Sequence, residues 1–84
     1  MVAPHNVCTP IGAMGAVHAA STMPNLIAVE FHSVTVPWWN SLVKGGKPLI
    51  QNGYIELTDR PGLGIEVDEQ EARKHLWEGE AFFE

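Results

Sequence analysis

The chain has 84 residues, with ten Asp and Glu, five Lys and Arg, and a formal net charge of −5. That length allows one small domain, which alone would bury about 60–65% of the surface its unfolded chain exposes. Net negative charge without a Lys/Arg cluster argues against nucleic acid or an anionic membrane surface as partner.

The charge is unevenly placed. Glu30 is the only formally charged residue in 1–43, and 44–84 carries the other nine acids and all five bases. A half-domain exposed with a single charge would be poorly soluble, so residues 1–43 are expected to lie inside something larger than this chain. Cys8 is the single cysteine, which rules out an internal disulfide and fits a reducing compartment. Residues 1–6 lack a basic stretch leading into an apolar core. No apolar run approaches the roughly 20 residues of a membrane span, and a cytoplasmic location is expected.

In chain order, Val2-Ala3-Pro4 reads as the end of a strand. Thr9-Pro10 starts a helix, with a capping hydroxyl followed by proline at the first helical position. The helix runs to about Ser21 and is rich in glycine and alanine. Each glycine costs about 1 kcal/mol of helix propensity relative to alanine, so close packing must hold it. Pro24-Asn25 ends it, and Leu26 to Glu30 is expected to be a short strand buried on both faces, as in parallel sheets. Helix, turn and apolar strand form the repeating unit of an α/β protein, and one such unit cannot close a sheet.

Val36 to Val43 reads as a loop entering one or two helical turns, and Gly45-Gly46 as a break where the composition changes. Leu49-Ile50 and Tyr54 to Leu57 form a hairpin through Asn52-Gly53. Pro61-Gly62-Leu63-Gly64 is a tight turn. It is not a phosphate loop, because no Lys-Ser/Thr follows it. Asp68 caps a last helix with Glu71 three residues on, as in a capping box, and Gly79 is the expected stop. Glu69 and Glu71 in its first turn, with Arg73 and Lys74 later, match the helix dipole.

His5 and Glu30 each lie just beyond a strand-like segment, with a helix between them. Side chains at the carboxyl ends of successive parallel strands converge on the ligand site, so the two can face one pocket as base and acid. A poorly solvated Glu30 would have a raised pKa and could donate a hydrogen bond to a developing oxyanion. The alternative reading packs His5 in a loop and pairs Glu30 with a base on a neighbouring chain. A metal site from His5, Cys8, Glu30 and His32 is a further reading, since His5-x-x-Cys8 resembles half a zinc site, but no second pair follows at zinc-finger spacing. Trp38-Trp39 suits either a sugar pocket or packing. His18 and His75, inside helices, read as structural.

The ordered set "VAPHN", a small-residue helix, "PNLIAVEFH" and "NGYIELTDRPGLGIEVDE" resembles the carboxyl-terminal part of enolase-superfamily enzymes. The branch resembled is that of mandelate racemase and the acid-sugar dehydratases, acting on gluconate, galactonate, arabinonate and relatives. The resemblance spans essentially the whole chain. It implies the last βα units of a (β/α)8 barrel in residues 1–43, ending strand seven and containing strand eight. Residues 44–84 would be a tail with a small hairpin and a helix that packs on a capping domain.

The same resemblance implies that His5 is the general base taking the proton next to the substrate carboxylate. It also implies that Glu30 hydrogen-bonds the enediolate that forms, and that His32 touches substrate. The family's three Mg²⁺-binding carboxylates lie on strands three to five, and the aspartate orienting the histidine on strand six. None of these is present here. The implied protein is therefore part of a Mg²⁺-dependent lyase, holding no metal itself and inert alone. Its expected partners are the rest of the barrel or further copies of itself, with a sugar acid as substrate once complete. The other reading is a structural or assembly protein that completes a partial barrel in trans.

Overall fold

The computed structural model describes residues 1–81. The order is helix α1 (Pro10–Ala20), two 3₁₀ turns (Ser33–Thr35 and Asn40–Leu42), strands β1 (Ile50–Gln51) and β2 (Tyr54–Ile55), and helix α2 (Glu69–Arg73).

Residues 2–6 and 25–32 run side by side in parallel, across α1. Val2 pairs with Leu26 in a parallel bridge. The Val2 amide donates to the Asn25 carbonyl and the Ile27 amide to the Val2 carbonyl, each at 2.8 Å. A regular parallel ladder would next join the Pro4 nitrogen to the Ile27 carbonyl, but proline has no N–H. The pairing slips there. The Glu30 amide, not that of Val29, donates to the Pro4 carbonyl at 3.0 Å, and the His32 amide donates to the Asn6 carbonyl at 3.3 Å. Residues 27–30 thus hold one residue more than the segment they face, which is a bulge.

Leu26 to Glu30 is not the doubly buried strand expected from its apolar run. Ile27 is 64% exposed, and Ala28 is exposed as well. The reason is that only the 2–6 segment pairs with it among the described residues, leaving its other edge open.

α1 begins at Pro10 as expected, although the Thr9 hydroxyl makes no capping bond. The Thr9 carbonyl instead accepts from the Ala13 amide at 2.9 Å. Gly12 has a packing reason: a Cβ there would sit 2.5 Å from the Cys8 Cβ. Among the described residues the buried apolar ones are few, namely Pro10, Ala13, Met14, Ala20, Trp39 and Leu42.

In the second half, Asn52 (φ 52°) and Gly53 (φ 80°) both take positive φ, the requirement of the two-residue turn joining β1 to β2. The hairpin is shorter than expected, with Ile50 opposite Ile55 and Gln51 opposite Tyr54. Asp68 caps α2 by accepting from the Glu71 amide at 3.1 Å. The return half of the capping box does not form, because the Asp68 amide already donates to the Leu42 carbonyl at 2.7 Å. α2 ends at Arg73, well before Gly79. Its last amides bond three residues back, Lys74 to Glu71 and His75 to Ala72, which tightens and stops the helix.

The chain leaves much of itself uncovered. Its accessible surface is 6471 Å², where a compact monomer of 9.2 kDa would expose about 4,900 Å². Its radius of gyration is 13.8 Å, against about 12 Å for a compact domain of this length. An apolar groove of 530 Å³ lies open between the 26–31 run, α1 and the hairpin.

Two outcomes follow from this packing. The isolated chain should self-associate or bind a hydrophobic dye such as ANS, because open apolar surface of this extent drives association. A monomeric elution volume with a sharp cooperative melt would contradict that. Gly12→Ala should lower helicity by far-UV circular dichroism, although alanine is the better helix former, because the Cys8 side chain occupies the space. A rise in helicity would show that Cys8 yields easily.

Candidate functional site

The bulge decides which side chains meet. Along a strand, successive side chains alternate between faces. In the register set by Val2 and Leu26, His5 would face Val29, with Glu30 turned to the opposite side. The extra residue moves the register by one and places Glu30 beside His5. His32, two residues further on, shares that face.

The His5 Nδ1 lies 2.5 Å from Glu30 Oε2. The His32 Nε2 lies 3.4 Å from the same oxygen. The two imidazole rings are 5.5 Å apart, tilted by 47°. The side chains of His5, Glu30 and His32 are 75%, 40% and 54% exposed. Hydrogen bonds from His5 and then His32 hold the Glu30 carboxyl below its ordinary pKa, with desolvation opposing them. This reverses the raised pKa expected for a buried acid. Glu30 is neither deeply buried nor unpaired, and two N–H donors stabilise its ionised form. At neutral pH Glu30 is therefore a carboxylate, and the His5 Nδ1–H donates to it. The neutral tautomer with its proton on Nδ1 presents its Nε2 lone pair away from Glu30.

The loop that carries His5 is fixed from behind. Asn6 is buried and its Oδ1 accepts from the Cys8 amide at 3.2 Å. The Cys8 carbonyl accepts from the Trp39 Nε1–H at 2.8 Å and from the Ser33 hydroxyl at 3.3 Å. Phe31 packs edge-on against Trp39, with ring centroids 4.9 Å apart. Asn6, Ser33 and Trp39 were not singled out as supports by sequence reasoning. An Asn two residues before an amide it can cap is a recognisable turn signal, but nothing in the sequence links Trp39 to Cys8.

Cys8 does not join the site. Among the described residues, the cluster of metal-competent groups consists of His5, Glu30 and His32, whose ligand atoms all lie within 4.8 Å of one another. Cys8 turns instead toward Gly12, which removes the half-zinc-site reading. Trp39 is buried in packing, and Trp38 stacks on His75 with ring centroids 3.8 Å apart. His18 accepts its expected structural place, its Nε2 lying 3.0 Å from the Leu63 carbonyl. His75 also pairs with Glu71 at 3.1 Å.

Residues 1–71 match the family model for the enolase C-terminal domain-like family. The chain belongs to that family. In it the domain is a (β/α)8 barrel, of which this small α/β chain carries a part. The chain is 43% identical over 83 residues to the D-xylonate dehydratase of Haloferax volcanii, covering 99% of this chain and 20% of that protein. It is 31% identical over 80 residues to the D-gluconate/D-galactonate dehydratase of Picrophilus torridus, covering 94% of this chain and 20% of that protein. The crystal structure of a mandelate racemase/muconate lactonizing enzyme-like protein from Rubrobacter xylanophilus superimposes with a TM-score of 0.88. It is 43% identical, with 98% of this chain and 21% of that one covered. The chain thus spans about a fifth of the length of the relatives it matches.

The pairing around Glu30 has a direct readout. The Glu30 side-chain carbon, followed by NMR against pH, should titrate below the ordinary glutamate value of about 4.3. A folded-state pKa below the unfolded one makes the paired form most favoured above the unfolded pKa. That contribution is lost as pH falls through the depressed value. His5→Asn should move the titration back up toward the ordinary value. A midpoint above the ordinary value in the unmodified chain would contradict the pairing.

Proposed function

We propose that this chain is a carboxyl-terminal segment of an acid-sugar dehydratase, carrying the proton-abstracting half of its active site. The observation that carries this reading is the contact of His5 Nδ1 with Glu30 Oε2, in a chain similar to D-xylonate and D-gluconate/D-galactonate dehydratases along nearly its whole length. His5 is the general base and Glu30 its partner, with His32 beside them as a substrate contact. Residues 1–43 then supply the end of strand seven and strand eight, and 44–84 the tail against a capping domain. The chemistry and the free cysteine suit a cytoplasmic protein. Among the described residues no helix is long and apolar enough to cross a membrane.

The chemistry follows from the pair. Nε2 of His5 takes the proton from the carbon next to the substrate carboxylate, giving an enediolate and an imidazolium. The Glu30 carboxylate, held ionised by its neighbours, accepts from the imidazolium Nδ1–H and stabilises the charge that forms there. Loss of the neighbouring hydroxyl with one proton then releases water and leaves the enol of a keto acid. The further role that the resemblance implies for Glu30, a hydrogen bond to the enediolate, requires a protonated carboxyl, which the completed barrel would have to bring about by closing the group off from water.

The family implies a divalent cation in the full-length enzymes, Mg²⁺ by the resemblance described above. When bound it supplies Lewis-acid stabilisation of the enediolate, worth several kcal/mol. The described residues do not fit Mg²⁺. That ion takes near-ideal octahedral oxygen ligands, whereas the cluster here offers two imidazole nitrogens and one carboxylate. A second reading, assembly in trans, draws on the uncovered surface. In it the same segment docks on a partial barrel supplied by another chain.

The test replaces the matching fifth of the Haloferax D-xylonate dehydratase with this chain. A folded chimera should dehydrate D-xylonate, while the 84-residue chain alone with Mg²⁺ should not. In the chimera His5→Asn should abolish both dehydration and exchange of the α-proton with deuterated solvent. Glu30→Gln keeps an amide donor and should slow turnover by roughly 10²–10³-fold, and His18→Asn should leave it nearly unchanged. A folded but inert chimera, or near-normal activity in His5→Asn, would sink the assignment.

A further inference from the structure

The donor set that Mg²⁺ rejects suits a different class of ion. We propose that His5, Glu30 and His32 form a binding site for a divalent transition-metal ion of the zinc, nickel or cobalt type. The inference stands on the geometry of this cluster and does not rest on the dehydratase reading.

Two imidazoles and one carboxylate on one face are the ligands that such ions prefer over alkaline-earth ions. A metal bonded to nitrogen and oxygen at about 2.0–2.2 Å requires ligand atoms roughly 2.8–3.6 Å apart at octahedral or tetrahedral angles. The His32 Nε2 to Glu30 Oε2 separation is already 3.4 Å. His5 Nδ1 and Glu30 Oε2, now 2.5 Å apart, must open by less than about 1 Å to reach the same spacing. Both histidine side chains are more than half exposed, so the required ring rotations displace no packed core. The third ligand atom falls within the same 4.8 Å span.

Proton accounting is also favourable. The nitrogens facing Glu30 must present lone pairs to the ion, which each neutral ring does by carrying its proton on the outward nitrogen instead. No ring has to lose its last proton, and the carboxylate is already ionised. The exposed side of the cluster leaves further coordination positions open to water or to a small anionic ligand. The parallel pairing of 2–6 with 25–32 brings together two ligands 27 positions apart in sequence, so the site exists only in the folded chain.

The experiment titrates the full 84-residue chain with Zn²⁺, Ni²⁺ and Mg²⁺ by calorimetry at neutral pH. It then follows the four histidine ring signals by NMR as paramagnetic Ni²⁺ is added. One equivalent of Zn²⁺ or Ni²⁺ should bind at least tenfold more tightly than Mg²⁺, and Ni²⁺ should broaden His5 and His32 while His18 and His75 stay sharp. Loss of even an outer-shell partner commonly costs 10–100-fold in metal affinity, so His5→Asn and His32→Asn should each weaken binding by at least about tenfold. His32→Gln provides a second variant should His32→Asn disturb the fold, and Cys8→Ser should bind as the unmodified chain does. Three results would overturn the proposal: equal broadening of all four histidines, unchanged affinity in both His5→Asn and His32→Gln, or loss of binding in Cys8→Ser.

Discussion

The site depends on one constraint in the backbone, the missing N–H of Pro4. Without that donor the parallel ladder begun at Val2 and Leu26 loses one bond, and the pairing slips there by one residue. It resumes with the Glu30 amide on the Pro4 carbonyl and the His32 amide on the Asn6 carbonyl. The slip of one residue brings Glu30 and His32 to the face of His5. In a ladder without it, Val29 would stand opposite His5 and the carboxylate would point the other way. A residue that weakens a sheet by removing a hydrogen bond thus stands where His5, Glu30 and His32 come together.

Holding that face requires support that the paired segments cannot supply alone. The Cys8 carbonyl takes both the Trp39 indole and the Ser33 hydroxyl, and Asn6 closes the turn between His5 and Cys8. These bonds tie the first loop to the segment after Glu30, so both ends of the His5–Glu30 contact are braced by one buried cluster. The second half of the chain attaches through Val43 and Val67, which form an antiparallel bridge, and through Asp68 bonding back to Leu42. His18 reaching Leu63 makes a further tie between the halves. These contacts position the tail but leave the outer edge of the 26–31 run open.

Glu30 illustrates how environment decides the role of an acid. The same carboxyl group, sealed in an apolar strand end, would be held neutral and would donate. Placed between two imidazoles and partly open to water, it is ionised and accepts. The proposed catalysis and the proposed ion site use this one feature differently. For the proposed catalysis the carboxylate fixes the tautomer of His5 and stabilises its imidazolium. For an ion it supplies the anionic ligand between two neutral ones.

Much of the local structure was legible in the sequence. The run from Pro10, the Asn52-Gly53 turn and the Asp68 cap follow from short-range chemistry, because each is set by φ preferences or by groups within a few residues. The concentration of charge after residue 43 is equally plain in the sequence. His5 and Glu30 could be paired from their positions beyond strand-like segments. Tertiary structure alone decided the rest. The exposure of Ile27, the early end of α2 and the exclusion of Cys8 depend on which segments lie alongside. The face on which Glu30 stands depends on a one-residue slip, and periodicity cannot show a slip that arises from a missing bond to a segment more than twenty residues away.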